Sequence, residues 1–168
     1  SLAVTDRSTS LLIDSVRQFE VAEFPSLADA ALHYLQSLPG NDNTPGSAVF
    51  AIAGRIEGDS ARITNYPWDI SGSATQQSLG LDSLRLVNDF AAQAMAVQLL
   101  ADEDLVTIGG ASLAPRSSGE RTYAVVGPGT GLGVSALIVR NGQTLALETE
   151  GGHVSFAASS ADEIAILE

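Results

Sequence analysis

Three short stretches of this chain gather the residue types that chemistry uses. The first is Gly127-Pro128-Gly129-Thr130-Gly131-Leu132-Gly133, with four glycines in seven positions. Without Cβ atoms such a backbone can turn tightly and bring its N–H groups close to an anion. Thr130 adds a hydroxyl that can bond a phosphate oxygen. There is no Gly-Lys-Ser/Thr, so this is not a Walker A loop. The β-branched segment that follows is not a helix, so it is not a dinucleotide fingerprint either. A glycine-rich hairpin turn needs the same spacing, and the residues alone leave both readings open.

The second stretch is Val87-Asn88-Asp89-Phe90. Its Asn-Asp pair sits where a strand ends and a helix begins, which is where ligands bind in open α/β sheets. Asn and Asp are also ordinary helix caps. An Asp here could take a proton from a hydroxyl nucleophile, as phosphoryl transfer requires. The third is Glu150-Gly151-Gly152-His153. A carboxylate and an imidazole flank two glycines, and such groups are partners for sugar hydroxyls, which both donate and accept. A turn with a solvated Glu and a packed His is the plainer alternative.

These stretches need elements to position them. Residues 2–4 and 11–24 predict strands joined by a turn over 6–10. Pro25 and Ser26 open a helix over 27–38, with Ser26 and Asp29 as a capping box and Pro39-Gly40 as its stop. Residues 41–46 predict a polar loop. The apolar run 48–53 predicts a strand buried on both faces, and 61–64 another, followed by a loop over 65–68. A short helix over 71–79 closes at Gly80. Residues 84–87 form a strand, then 90–100 a helix apolar almost all round and hence buried between layers. Residues 102–104 make an acidic turn and 111–120 a surface loop. Strands follow at 122–126, 134–139 and 144–147, the last two joined by Asn141-Gly142. Ser160 and Glu163 cap a helix that begins near Ala161. This order predicts an α/β fold with a mixed sheet flanked by helices. A boundary near residue 100 divides a smaller domain, 1–100, from the start of a larger one, 101–168.

Composition excludes several classes. The chain has 168 residues, a formal net charge of -12 and 45% hydrophobic residues, enough to bury a core. All its cations are Arg, and an acidic surface repels polyanions, so nucleic acid is not an expected partner. The absence of Cys removes disulfides and Cys-based zinc sites. His33 and His153 are too far apart for a short-spaced metal motif, and no metal site is expected within the chain. No stretch of about 18 apolar residues predicts a membrane span, and the first residues lack a secretory signal. The expectation is a cytoplasmic protein without a membrane partner. A first residue other than Met, and a last one within a predicted helix, suggest a piece of a longer chain.

Taken together and in order, Asn88-Asp89, residues 127–133 and Glu150-Gly151-Gly152-His153-Val154-Ser155-Phe156 resemble the bacterial glucokinases of the hexokinase/actin-like ATPase superfamily. Asn65-Tyr66-Pro67-Trp68 and the segment 162–168 fit as well. The resemblance implies an actin-like ATPase (ribonuclease H-like) fold with a partial second domain. It implies ATP-dependent phosphorylation of glucose by a longer parent, as a homodimer. Asp89 would be the catalytic base. Asn88, Glu150 and His153 would hold sugar hydroxyls. Gly129, Thr130, Gly131 and Gly133 would lie on the phosphates of ATP, with Mg²⁺ held largely by those phosphates and water.

Two departures qualify the resemblance. The family's first phosphate loop, Gly-Gly-Thr-Asn, is not in this sequence, and neither is its adenosine-binding segment. The chain by itself is therefore expected to be inactive. Arg55 stands where Pro is common in relatives, without an assigned role. The rival reading is a sugar-binding regulator or inactive pseudokinase on the same scaffold. A general base at Asp89 is of no use to a pure binder.

Overall fold

The computed structural model describes all residues except 6–10, 40–44, 65, 111–118, 130, 150 and 168. It divides into two compact units, Ser1–Asp89 and Phe90–Glu168. The α/β class expected from the sequence is what it shows.

In the first unit, α1 (Leu27–Ser37) starts as its residues dictate. The Ser26 hydroxyl oxygen accepts the Asp29 N–H at 3.2 Å. The Asp29 carboxylate accepts the Ser26 hydroxyl hydrogen at 2.5 Å, so the two side chains are bonded to each other. Strand β1 (Ser47–Ile52) pairs in parallel with β5 (Ser83–Asn88), with Ile52 opposite Asn88. Between them lie β2 (Gly54–Glu57), β3 (Ser60–Ile63) and β4 (Asp69–Ser71), a three-stranded antiparallel sheet, and helix α2 (Gly72–Leu79). Gly80 closes α2 at φ 65°, the left-handed conformation that glycine adopts most readily. Phe50, Ile52, Ala61, Trp68, Ile70 and Leu79 form the centre of the core with Ala30 and Ala31 of α1. Trp68, from the loop quoted for the family resemblance, is 8% exposed, and the Tyr66 ring meets it edge-on at 5.5 Å. That loop anchors the core.

Two expectations change here. Residues 2–4 and 11–24 are not strands. They make only isolated bridges, Leu2 with Arg17 and Thr5 with Leu11, interrupted by 3-10 turns at Ile13–Ser15 and Val21–Glu23. The reason is Ser15, a buried polar residue whose hydroxyl is fully used within the segment. It donates to the Leu12 carbonyl at 2.6 Å and accepts the Val4 N–H at 2.9 Å, while the Ser15 carbonyl accepts the buried Tyr34 hydroxyl. The predicted turn 6–10 lies outside the described residues. Strand β1 is buried on one face only: Phe50 and Ile52 face the core, whereas Val49 is 67% exposed. A short apolar run cannot by itself distinguish one-sided from two-sided burial. Strands β2 and β4 were not expected. The first is short and ion-paired, the second only three residues long.

In the second unit, β6 (Arg121–Pro128), β7 (Leu132–Arg140) and β8 (Gln143–Glu148) form an antiparallel meander with β7 in the centre. Leu137 and Ser135 are its most buried side chains, and the Ser135 hydroxyl donates to the Leu147 carbonyl at 2.7 Å. Asn141 and Gly142 both take positive φ, 52° and 73°, as the two-residue turn requires. Helix α3 (Asp89–Ala96) is shorter than expected. Its last turn tightens into i→i+3 bonds from Val97 to Ala94 and from Leu99 to Ala96. It also buries one face only, through Ala91 and Ala94, with Leu99 85% exposed. The acidic residues Asp102–Asp104 form a 3-10 turn, closed by the Asp104 carboxylate on the Ala101 N–H. The loop expected over 111–120 falls almost wholly outside the described residues. Helix α4 (Ala161–Leu167) carries its capping box: the Ser160 hydroxyl accepts the Glu163 N–H and the Glu163 carboxylate accepts the Ser160 N–H. Among the described residues no helix is long and apolar enough to cross a membrane.

Candidate active site

The Asn-Asp pair is where its strand ends. Asn88 is the last residue of β5 and Asp89 the first of α3, both half-buried. The Asn88 amide nitrogen donates to the Gly54 carbonyl at 3.3 Å. This fixes the side chain at the C-terminal edge of the β1–β5 pair, the edge at which open α/β sheets bind ligands. Gly54 has to be glycine for a local reason. A Cβ there would run into the Arg62 carbonyl of the paired strand.

In the second unit the glycine stretch resolves into strands and a turn. Gly127 pairs with Gly133 and Pro128 with Leu132, so only the segment around Gly129 and Gly131 is left to turn. The Gly129 N–H donates to the Gly131 carbonyl at 2.8 Å and closes it. Both residues are exposed, and a Cβ on Gly131 would meet nothing within 4 Å. The backbone of this turn is thus open to solvent. Thr130 lies outside the described residues.

Gly127 and Gly133 have a different reason for lacking side chains. The Phe90 ring lies across both: a Cβ on Gly127 would come within 2.7 Å of it, and one on Gly133 would overlap it. Neither glycine has positive φ, so space and not backbone freedom selects them. Directly opposed residues of an antiparallel pair stand about 5 Å apart, so one ring covers both.

The third stretch sits on the same hairpin. Gly151–His153 is a 3-10 turn packed on the start of β7. A Cβ on Gly152 would strike the Leu132 carbonyl, and one on Gly151 would crowd Val134 at 3.2 Å. The Thr149 hydroxyl donates to the Val134 carbonyl at 2.7 Å and also accepts the Gly151 N–H. His153 is exposed at the end of this turn. Glu150 lies outside the described residues. The second unit thus brings together the glycine turn, the Gly-Gly-His turn and Phe90. Asn88 and Asp89 are placed within the first.

Sequence reasoning missed Asp59. Its carboxylate accepts the Ser73 N–H at 3.0 Å and the hydroxyls of Ser73 and Ser71, while its carbonyl accepts the Gly72 N–H. The Ser73 side chain, then its N–H, hold the Asp59 carboxyl below its ordinary range. This caps α2 from a turn far away in sequence, so no local motif announces it. An open groove of about 540 Å³ on the β2–β3–β4 sheet is lined by Arg55, Glu57, Arg62 and Asp69. Its ion pairs, Arg55–Glu57 at 3.1 Å and Arg62–Asp69 at 2.8 Å, are exposed and contribute little to stability. Among the described residues there is no cluster of three or more His, Cys, Asp or Glu that could hold a metal ion.

The glucokinase family model matches residues 1–168. A glucokinase of Stenotrophomonas maltophilia (strain R551-3) is 55% identical over 169 residues, covering 100% of this chain and 50% of its own length. One from Xylella fastidiosa (strain 9a5c) is 54% identical over 163 residues, 96% of this chain and 48% of its own. A crystal structure of glucokinase from an Antarctic psychrotroph superposes with a TM-score of 0.75 at 32% identity, covering 98% of this chain and 49% of that one. The chain spans about half the length of the curated relatives it matches. The order of the three stretches, the fold that carries them and the match along the entire sequence place this chain in the glucokinase family.

Proposed function

We propose that this chain provides the sugar-side part of an enzyme that transfers the γ-phosphoryl group of ATP to the 6-hydroxyl of glucose. Asp89, at the start of α3, accepts the proton of that hydroxyl as its oxygen attacks phosphorus. Asn88, Glu150 and His153 hold other hydroxyls of the hexose. Gly129, Thr130, Gly131 and Gly133 line the turn that receives the phosphates, with the Gly129 N–H itself held by the Gly131 carbonyl. The observation that carries this reading is the seating of Gly152 against Leu132, which sets the Gly-Gly-His turn directly on the glycine hairpin. The exposed backbone of Gly129 and Gly131 suits phosphate oxygens. Mg²⁺ bound to ATP, held mainly by phosphates and water, would neutralise the charge on the transferred group.

Positioning and charge neutralisation supply most of the rate in such chemistry, and a general base adds about 10²–10⁴-fold. The test is Asp89→Asn in the full-length protein, assayed for glucose 6-phosphate. Turnover should fall by about that factor while glucose binding, measured by calorimetry, persists. Near-normal kcat would remove Asp89 as the base. Glucose binding without any turnover in the unaltered protein would favour a sugar-binding regulator. The same proposal holds that residues 1–168 alone do not phosphorylate glucose, that a domain boundary lies near residue 100, and that the full-length protein is a cytoplasmic homodimer.

A further inference from the structure

The proposed machinery leaves one close packing relationship without a use. Phe90 follows the proposed base directly in sequence, and its half-buried ring covers two opposed glycines of the hairpin whose tip is the proposed phosphate turn. A strand pair rarely places glycine opposite glycine without cause, because each weakens the strand. Here both are in strand conformation at ordinary φ, so the backbone does not demand them. What demands them is the ring. A methyl group at Gly133 would overlap it, and one at Gly127 would stand at 2.7 Å from it. The hairpin therefore carries a shallow seat, two residues wide, that fits one aromatic ring. The occupant comes from the first turn of α3.

We propose that Phe90 is a positioning residue for phosphoryl transfer. Its ring, held in the Gly127–Gly133 seat, fixes the hairpin that ends in the turn at 129–131 against Phe90, and so sets where the phosphate cradle lies within its own unit. This rests on the reading of Asp89 as the base and of that turn as the phosphate cradle. The chemical logic is geometric. In-line transfer needs the attacking hydroxyl and the phosphorus in near contact, and a displacement of about 1 Å can cost about 100-fold in rate. A rigid aromatic in a fitted seat has few rotamers, so it transmits position with little slack. The ring touches neither sugar nor nucleotide in this proposal. Its effect is on kcat, through the placement of the phosphate cradle.

The test uses the full-length enzyme with glucose and ATP and four variants: Phe90→Ala, Phe90→Leu, Gly133→Ala and the double variant Phe90→Ala/Gly133→Ala. Phe90→Ala should lower kcat by about 10–100-fold with KM for glucose changed by less than about twofold. Phe90→Leu, which refills part of the seat, should recover a measurable share of that loss. Gly133→Ala should lower kcat by itself, because the methyl group expels the ring. In the double variant the methyl group meets no ring, so the two losses should be strongly less than additive. Unchanged kcat in Phe90→Ala, a parallel rise in KM, or additive losses would each overturn the proposal. Additive losses would mean that Gly133 is required for close approach of phosphate instead. If Phe90→Ala does not fold, the comparison of Phe90→Leu with Gly133→Ala gives the same kcat-against-KM reading. Asp89→Asn separates the two levels. Full activity there sinks the assignment of the base, whereas loss there with an indifferent Phe90→Ala sinks only the role of the ring.

Discussion

The side-chain amide of Asn88 donates to the backbone carbonyl of Gly54 at 3.3 Å, tying the end of β5 to the first residue of β2. A proposed sugar contact is thus held by a residue from a different strand, and that residue is itself constrained. Gly54 faces the Arg62 carbonyl with no room for a side chain.

Gly54→Ala should therefore destabilise the protein by about 1–3 kcal/mol, the usual cost of overpacking. Urea unfolding measures it. The same variant should weaken glucose binding in the full-length protein, because the carbonyl that orients Asn88 moves. A stable Gly54→Ala variant with normal glucose affinity would show that the tie has no role in binding.

Gly152→Ala should act on the sugar and spare the fold elsewhere. The added methyl group strikes the Leu132 carbonyl and lifts the turn that ends in His153. The loss of one sugar hydrogen bond corresponds to about a tenfold rise in KM for glucose. An unchanged KM would separate His153 from the substrate.

The Glu163 carboxylate accepts the Ser159 N–H at 2.6 Å and the Ser159 hydroxyl at 2.8 Å, together with the Ser160 N–H. The Ser159 N–H first, then its hydroxyl, hold the Glu163 carboxyl below its ordinary range. A depressed carboxylate stabilises the fold above its unfolded value, about 4.3. That contribution is lost as pH falls through the lower, folded value. Carboxyl NMR should find the Glu163 midpoint below that of an exposed Glu, and Ser159→Ala should move it back up. A midpoint indifferent to Ser159→Ala would refute the assignment.

Asp59 offers a parallel case at α2. Ser73→Ala should raise the Asp59 midpoint toward the ordinary carboxylate value and lower the melting temperature at neutral pH. That difference should shrink as pH falls through the lowered Asp59 midpoint, where the parent's carboxylate takes up its proton and the contribution is lost. A Ser73→Ala variant that melts like the parent at neutral pH would show that this remote cap is idle.

What could be read from the sequence was local. The Ser160–Glu163 box, the Gly80 stop and the Asn141-Gly142 turn each have their causes within a few residues, and each lies where its residues predict. The order of the three chemical stretches was legible for the same reason. The contacts of Asp59 with Ser73, Asn88 with Gly54 and Phe90 with Gly133 were not, because each joins segments far apart in the chain. The four glycines of 127–133 illustrate the difference. The family resemblance put Gly129, Gly131 and Gly133 alike on the phosphates, whereas the structure leaves Gly129 and Gly131 at an open turn and sets Gly127 and Gly133 under a ring. Residues 11–24 failed as strands for a related reason. Their alternation of apolar and polar residues is strand-like, but the pairing is broken by a buried Ser15 that bonds its own segment.

The sheet topology also sets an order of events. In the meander β6–β7–β8 every strand pairs with its neighbour in sequence, so its turns can zip from short closures, on the microsecond scale of hairpins. The parallel pair β1–β5 has to wait until β2, β3, β4 and α2 have been spanned, and such non-local pairing is slow. During refolding the glycine turn should thus be protected early in pulse-labelled hydrogen exchange, and the β5 amides late. The strand that ends at Asn88 is then among the last parts to be set, so a refolding chain forms the turn proposed for phosphate before the strand end that carries the proposed base.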